Sequence, residues 1–207
     1  ARARHLFQEA LRQLPEYPVP QPRLTALHGL LELQIQLGDF AGAEESLKLV
    51  GRALRYTDSV RERSMALTAR SELQRLTGKV DGYTENLEEI ARCAASLEDF
   101  ELSVWVTAKL AEHYSGLGRF SEAMRILAGF GAPQDEWPPE LWAAYGMLLR
   151  RRHQPLPAEE ALQRAAATFR SQGRTPELIR VLMHAGAAAL RADHKELAVE
   201  LLKEALF

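Results

Sequence analysis

The stretch Leu37-Gly38-Asp39-Phe40, with Ala43 and Leu47 behind it, comes back down the chain and decides how it folds. Gly78 leads in the same way to Tyr83 and Leu87, and Leu117-Gly118-Arg119-Phe120 leads to Ala123 and Leu127. Two weaker copies put Ala161 and Ala198 in the slot held by Ala43 and Ala123, so the slot recurs at residues 43, 83, 123, 161 and 198. A beat of about 40 residues marks stacked supersecondary units, each burying its apolar face against the next, and not one shared core. The glycine accounts for the reversal of the chain. A helix ending in a left-handed residue turns back sharply, and a residue without Cβ adopts that conformation most freely. The small residue accounts for the pairing, because two helices cross closely there and a bulky side chain would wedge them apart. Tyr83 in that slot predicts a wider crossing in its own hairpin.

Outward from this cassette, apolar residues recur at spacings of three and four in segments separated by Gly, Pro or Asp. Sustained alternation is absent and β-branched residues are sparse, which argues against strands. The expected elements are a leading helix near 3–14 and five antiparallel hairpins: 23–37 with 40–55, 58–77 with 81–97, 99–117 with 120–129, 138–152 with 157–171, and 175–191 with 194–206. The proline-rich run from Pro15 to Pro22 separates the leading helix from the first hairpin, since proline lacks the N–H of a helix interior. The run from Gly129 to Pro139 shortens one second helix and re-aims the chain, with Pro139 placed to open the next helix. His153-Gln154-Pro155-Leu156-Pro157 is expected to lengthen another turn. Neither break is long enough to be a linker, so residues 1–207 read as a single helical-repeat domain. The lack of an initial Met, and a helical pattern that runs to the last residue, point to a fragment of a longer protein.

Composition fits an all-α chain. Apolar residues make up 46%, charged residues 26% and aromatics 7%, and Leu, Ala, Glu and Arg, strong helix formers, dominate. A formal net charge of −2 carries no global signal for nucleic acid or membrane. No apolar stretch approaches the roughly 18 residues that cross a bilayer, and no secretory leader opens the chain. Cys93 is the single cysteine, so no internal disulfide can form, and a reducing, cytoplasmic compartment is expected.

Chemistry-bearing motifs are missing. None of His5, His28, His113, His153, His184 and His194 belongs to H-E-x-x-H or to a cysteine pair with zinc spacing. His184 and His194, with Asp193 beside the latter, read as solvated turn residues in preference to a metal pair. The neighbouring acids Glu44-Glu45, Glu88-Glu89 and Glu159-Glu160 point about 100° apart on a helix, so they read as solvated faces and not as catalytic dyads. Gly116-Leu117-Gly118 lacks the Lys-Ser/Thr of a phosphate loop, and no G-x-S-x-G turn is present. Cys93, in an Ala-rich helical segment, reads as a small buried residue. No catalysis, cofactor or metal is therefore expected. Arg150-Arg151-Arg152-His153 is the one dense basic run, and it complements the negative end of a helix dipole; direct nucleic-acid contact is not expected.

The chain also resembles tetratricopeptide repeats. Their pattern W-x2-L-G-x2-Y followed by A-x3-F is approached by Trp142-x2-Tyr145-Gly146-x2-Leu149, by Leu110-Ala111-x2-Tyr114 with Ala123-x3-Leu127, and by Leu182-x2-Ala185-Gly186-x2-Ala189 with Ala198-x3-Leu202. The period departs from the family's 34 residues, and the closing proline is missing. Longer, degenerate repeats of this kind resemble the superhelical regions of bacterial maltose-activator-like transcription regulators. The resemblance implies a right-handed α-solenoid of about five hairpins plus a leading helix, acting as a protein- or peptide-binding scaffold. The alternative it implies is the ligand- or partner-sensing region of a transcription regulator whose effector domain lies outside this chain. Apolar flanks left by truncation would also support a homodimer.

In solenoids of this type the first helix of each hairpin lines a concave groove. The residue after its small packing position is Glu32, Glu72 and Glu112 in successive hairpins, at spacings of 40. One turn earlier stand His28, Thr68 and Ala108, with Trp105 further along as an aromatic anchor. A wall of carboxylates selects a partner with a basic segment through charge-assisted hydrogen bonds.

Overall fold

The computed structural model describes residues 2–14, 21–79, 81–133 and 136–206, with the Arg2 side chain left aside. Eleven α-helices and no strand occur among them. The chain forms two compact units, Ala1–Phe100 and Glu101–Phe207, and each is described by itself.

The first unit holds α1 (Arg2–Gln13), α2 (Gln21–Gln36), α3 (Phe40–Ala53), a single 3₁₀ turn at Leu54–Tyr56, α4 (Val60–Thr77) and α5 (Tyr83–Leu97). Helix α1 packs on α2, consecutive helices pair from α2 to α5, and α2 also touches α4. The core is a layer of Leu24, Leu27 and Leu31 from α2, Ala43, Val50 and Ala53 from α3, and Ala66 and Leu73 from α4. The repeated cassette works as its residue types require. Gly38 adopts φ 72° and ends α2, the Asp39 amide bonds back to the Gln34 carbonyl at 2.9 Å, and the Asp39 carboxylate accepts the Gly42 amide at 3.0 Å to start α3. One glycine and one aspartate thus serve two helix ends.

A polar rung repeats with the same beat. Ser46 donates its hydroxyl to Gln34 Oε1 at 2.7 Å, and Asn86 donates Nδ2 to Gln74 Oε1, also at 2.7 Å. Both pairs lie inside their hairpins, and their members are 40 positions apart. A buried amide bonded this way fixes the register of two helices that alanines alone would let slide. Gly82 holds a positive φ and delays α5 until Tyr83, which is buried at the helix start.

The second unit contains α6 (Phe100–Gly116, whose first residue belongs to the first unit), α7 (Phe120–Ala128), α8 (Pro139–Arg151), α9 (Pro155–Ser171), α10 (Thr175–Arg191) and α11 (Lys195–Glu204). Helix α7 touches α8, and α8, α9, α10 and α11 pack in sequence, with α8 also reaching α10. Ala123, Ala161 and Ala198 are buried, as is Ala43 in the first unit. After the short α7, the Trp137 indole donates to the Phe130 carbonyl at 3.2 Å and closes the loop onto an aromatic group with Trp142 and Tyr145.

Two expectations about proline are corrected. Pro155, Leu156 and Pro157 do not lengthen a turn; they form the first turn of α9, and only Arg152-His153-Gln154 links it to α8. Pro22 likewise lies in the first turn of α2, outside the break assigned to it, while Pro15 to Pro20 fall outside the described residues. The reason is the same in both: first-turn amides have no intrahelical acceptor, so proline loses nothing there. His153 and Asp193 take the left-handed position that Gly38 and Gly118 hold in other hairpin turns, with φ of 59° and 63°.

Candidate functional site

The first helices of the hairpins position the residues singled out from the sequence. In the first unit, His28 and Glu32 lie on α2 and Thr68 and Glu72 on α4. Glu32 is exposed and has no ion-pair partner among the described residues. Glu72 is half-buried and receives Nε and Nη2 of Arg75 one turn along its own helix. Thr68 donates its hydroxyl to the Ser64 carbonyl at 2.9 Å. His28 is buried, with Nε2 3.0 Å from Glu62 Oε2 on α4, and Gln21 donates to the other oxygen of Glu62. Burial lowers the His28 pKa, and the Glu62 charge works against that shift. His28 is thus a core link between α2 and α4.

In the second unit, Trp105 and Glu112 lie on α6. Trp105 is half-buried, with the Lys109 ammonium 6.0 Å from its ring centre. Glu112 is gripped by Arg180 of α10, which donates Nη1 to both carboxylate oxygens at 2.9 Å. Around this pair the C-terminal parts of α8 and α10 gather Arg150, Arg151, His184 and Arg191. The Arg191 guanidinium donates to the Arg150 carbonyl at 3.4 Å. The Arg151 guanidinium stands 4.0 Å from the place a Cβ on Gly116 would occupy. Arg150 Nε is enclosed without a hydrogen-bond partner.

His184 lies among these cations. Burial, then Arg150 and Arg180, push its pKa down from 6.5 to about 4, with Glu112 opposing and Arg151 adding to the fall. Between those two values the unfolded chain binds a proton that the folded chain refuses, so stability is full above about 6.5 and declines as pH drops toward 4. Chemical-denaturation midpoints at pH 7 and pH 5 are expected to show that decline, and His184→Gln to flatten it. An equally steep decline in the variant would remove His184 as its source.

A concavity in the first unit was not anticipated from the sequence. Helices α3 and α4, together with the connection from Leu54 to Ser59, line a groove of about 800 Å³. Its floor is apolar, from Leu47, Leu54, Val60 and Leu67, and its rim carries Lys48, Arg55, Arg63, Arg70 and Lys79 against Glu44 and Asp58. The signal was present in the spacing: Val60, Arg63, Leu67 and Arg70 recur at helical intervals and put one amphipathic stripe on α4.

The remaining candidates are structural. Glu159, read as solvated, is buried: it accepts from Gln163 and lies 2.8 Å from His194 Nδ1. Its partner at the start of α11 is distant in sequence, which is why the acid looked free. His194 therefore pairs with Glu159, and His184 faces arginines. Among the described residues no three His, Cys, Asp or Glu side chains are grouped to hold a metal ion, and no helix is long and apolar enough to cross a membrane. Cys93 is buried in α5, and burial, with Glu89 nearby, pushes its thiol pKa up.

No protein-family profile matches the chain, and no curated protein matches it. Solved structures do. The nearly identical TPR-like repeats of a putative kinesin light chain from P. anserina share 20% identity over 88% of this chain and 93% of that one, with a TM-score of 0.60. BtubC from P. vanneervenii, at 20% identity, aligns over 99% of this chain and 87% of that one, with a TM-score of 0.69. At such identity the fold is what is shared: the chain is a TPR-like helical-repeat structure.

Proposed function

We propose that this chain is a TPR-like scaffold that binds a protein or peptide partner along the faces of its first helices and performs no chemistry. TPR-like repeats typically serve as interaction scaffolds, because stacked hairpins present long, regular surfaces with little of the enclosure that catalysis needs. The observation that carries the reading is the Arg180 clamp on Glu112. It is an internal example of the contact a partner's arginine would make, a planar cation held by both oxygens of a first-helix carboxylate. Glu32, exposed on α2, is open to such a cation.

The reading therefore keeps Glu32, Glu72 and Glu112, with Thr68 and Trp105, as residues of the binding faces, and a basic segment as the partner; His28, expected beside them, is instead buried against Glu62 and supports α2 from within. It treats residues 1–207 as one repeat domain working in the cytoplasm. The maltose-activator-like resemblance supplies the second reading, a sensor attached to an effector domain. The open form of the concavities favours a peptide over an enclosed small inducer.

The test is a calorimetric titration of a synthetic Arg/Lys-rich peptide. Glu72→Lys is expected to weaken binding about tenfold, as a charge reversal at a contact does, with the melting temperature nearly unchanged. Equal affinity in wild type and variant rejects the assignment.

A further inference from the structure

The groove between α3 and α4 lies apart from the carboxylate faces, and its chemistry is the opposite of theirs. Five basic side chains and two acids line it. Lys79 pairs with Glu44 across the groove, Lys48 with Glu45 at 2.6 Å, and Arg63 with Glu89 at 3.6 Å. Arg55 and Arg70 are exposed and have no carboxylate partner among the described residues. Two free guanidiniums thus flank a floor of leucine and valine that is only partly covered. A ligand matched to this surface brings apolar side chains for the floor and carboxylates for the rim.

Gly51 is the second observation. It sits inside α3, on the groove, where a glycine is about 1 kcal/mol less favourable than alanine. Its φ is not positive, and a Cβ built there would meet no atom within 4 Å. The chain's other mid-helix glycines have a reason within the chain: Gly29 faces Phe7, Gly42 faces Asp39 and Gln34, Gly146 faces Leu162, and Gly186 faces Leu202. Among the described residues nothing uses the missing side chain of Gly51. A bare helix surface beside an apolar floor is what a docked backbone needs for close approach.

We infer that the α3–α4 groove is a docking site for an acidic, amphipathic segment of a partner protein, crossing Gly51 with its apolar side chains on Leu47, Leu54 and Leu67 and its carboxylates toward Arg55 and Arg70. The site is separate from the first-helix faces. A partner with acidic and basic segments would engage both.

Gly51 makes the test clean, because filling the groove there does not disturb the fold. The probe is a short fluorescein-labelled peptide in which Glu and Asp flank Leu, compared with a counterpart carrying Lys at every acidic position. Fluorescence anisotropy on the whole chain is expected to show binding of the acidic peptide alone, weakened by added salt. Gly51→Trp, and separately the pair Arg55→Glu with Arg70→Glu, are expected to weaken it at least about tenfold. The Gly51→Trp chain should melt at the wild-type temperature or above, since a helix-interior glycine has been removed. Glu72→Lys, which tests the first-helix faces, should leave this binding intact, so failure of one proposal does not imply failure of the other. Undiminished binding by Gly51→Trp, or equal binding of the Lys peptide, overturns the inference. So does concentration-dependent dimerisation that Gly51→Trp abolishes while the acidic peptide never binds, which would give the groove to a second copy of the chain.

Discussion

Phe169→Ala is expected to destabilise the chain by about 3 to 5 kcal/mol, the range for deleting a fully enclosed aromatic side chain. Phe169 has no exposed surface at all. It lies near the end of α9, with the Arg174 guanidinium stacked 4.7 Å from its ring centre. Arg174 in turn bonds Glu177 at the start of α10 and Glu140 at the start of α8. Removing the ring therefore opens a cavity and also leaves the stacked cation without its platform, so neighbouring side chains cannot simply collapse inward. Urea titration followed by circular dichroism reads the change, and a shift below about 1 kcal/mol would show that the site relaxes more easily than its enclosure implies.

Gly146→Leu is the second large effect, and it acts in the opposite sense, by excess volume. A Cβ at this position would stand 2.6 Å from Leu162 Cγ and 3.2 Å from the Ala158 carbonyl oxygen. Leu162 is itself fully enclosed and has nowhere to go. The helices α8 and α9 would have to part, at about 3 kcal/mol, the upper end of overpacking penalties. Gly186→Leu is the informative comparison. The three atoms nearest its Cβ would all belong to the Leu202 side chain, the first at 2.7 Å, and Leu202 lies half-exposed on α11, where it can swing aside. Melting temperatures should fall further for Gly146→Leu than for Gly186→Leu. The reverse order would mean that the terminal hairpin, not the α8–α9 pair, is the tighter crossing.

The repeat was legible because its determinants are local. Gly38, Gly78 and Gly118 announce left-handed turns by residue type alone, and the apolar spacing on either side leaves only a helix pair to be formed. The turns at His153 and Asp193 were placed from the helical pattern on either side, but their left-handed residues were not, since only a few per cent of non-glycine residues adopt that geometry even though Asp and His do so more often than most. The polar interior was illegible for a different reason. Glu62 and Glu159 look like surface acids until a partner on another helix, His28 or His194, is brought beside them. Arg180 is 68 positions from the Glu112 it clamps. Such pairings depend on how hairpins stack, and spacing within one helix carries no record of that. The α3–α4 groove lies between these extremes. Each amphipathic stripe was readable, but that the two leave a gap between them follows from the short 3₁₀ turn at Leu54–Tyr56.

The solitary thiol of α5 gives the molecule its own stopwatch. A sulfhydryl that is shielded from solvent and held in its protonated form reacts with a disulfide reagent only after the surrounding helices have momentarily come apart. The pace of that reaction counts local opening around α5, with no dye or isotope attached, and a peptide that binds and steadies those helices will make the watch run slower.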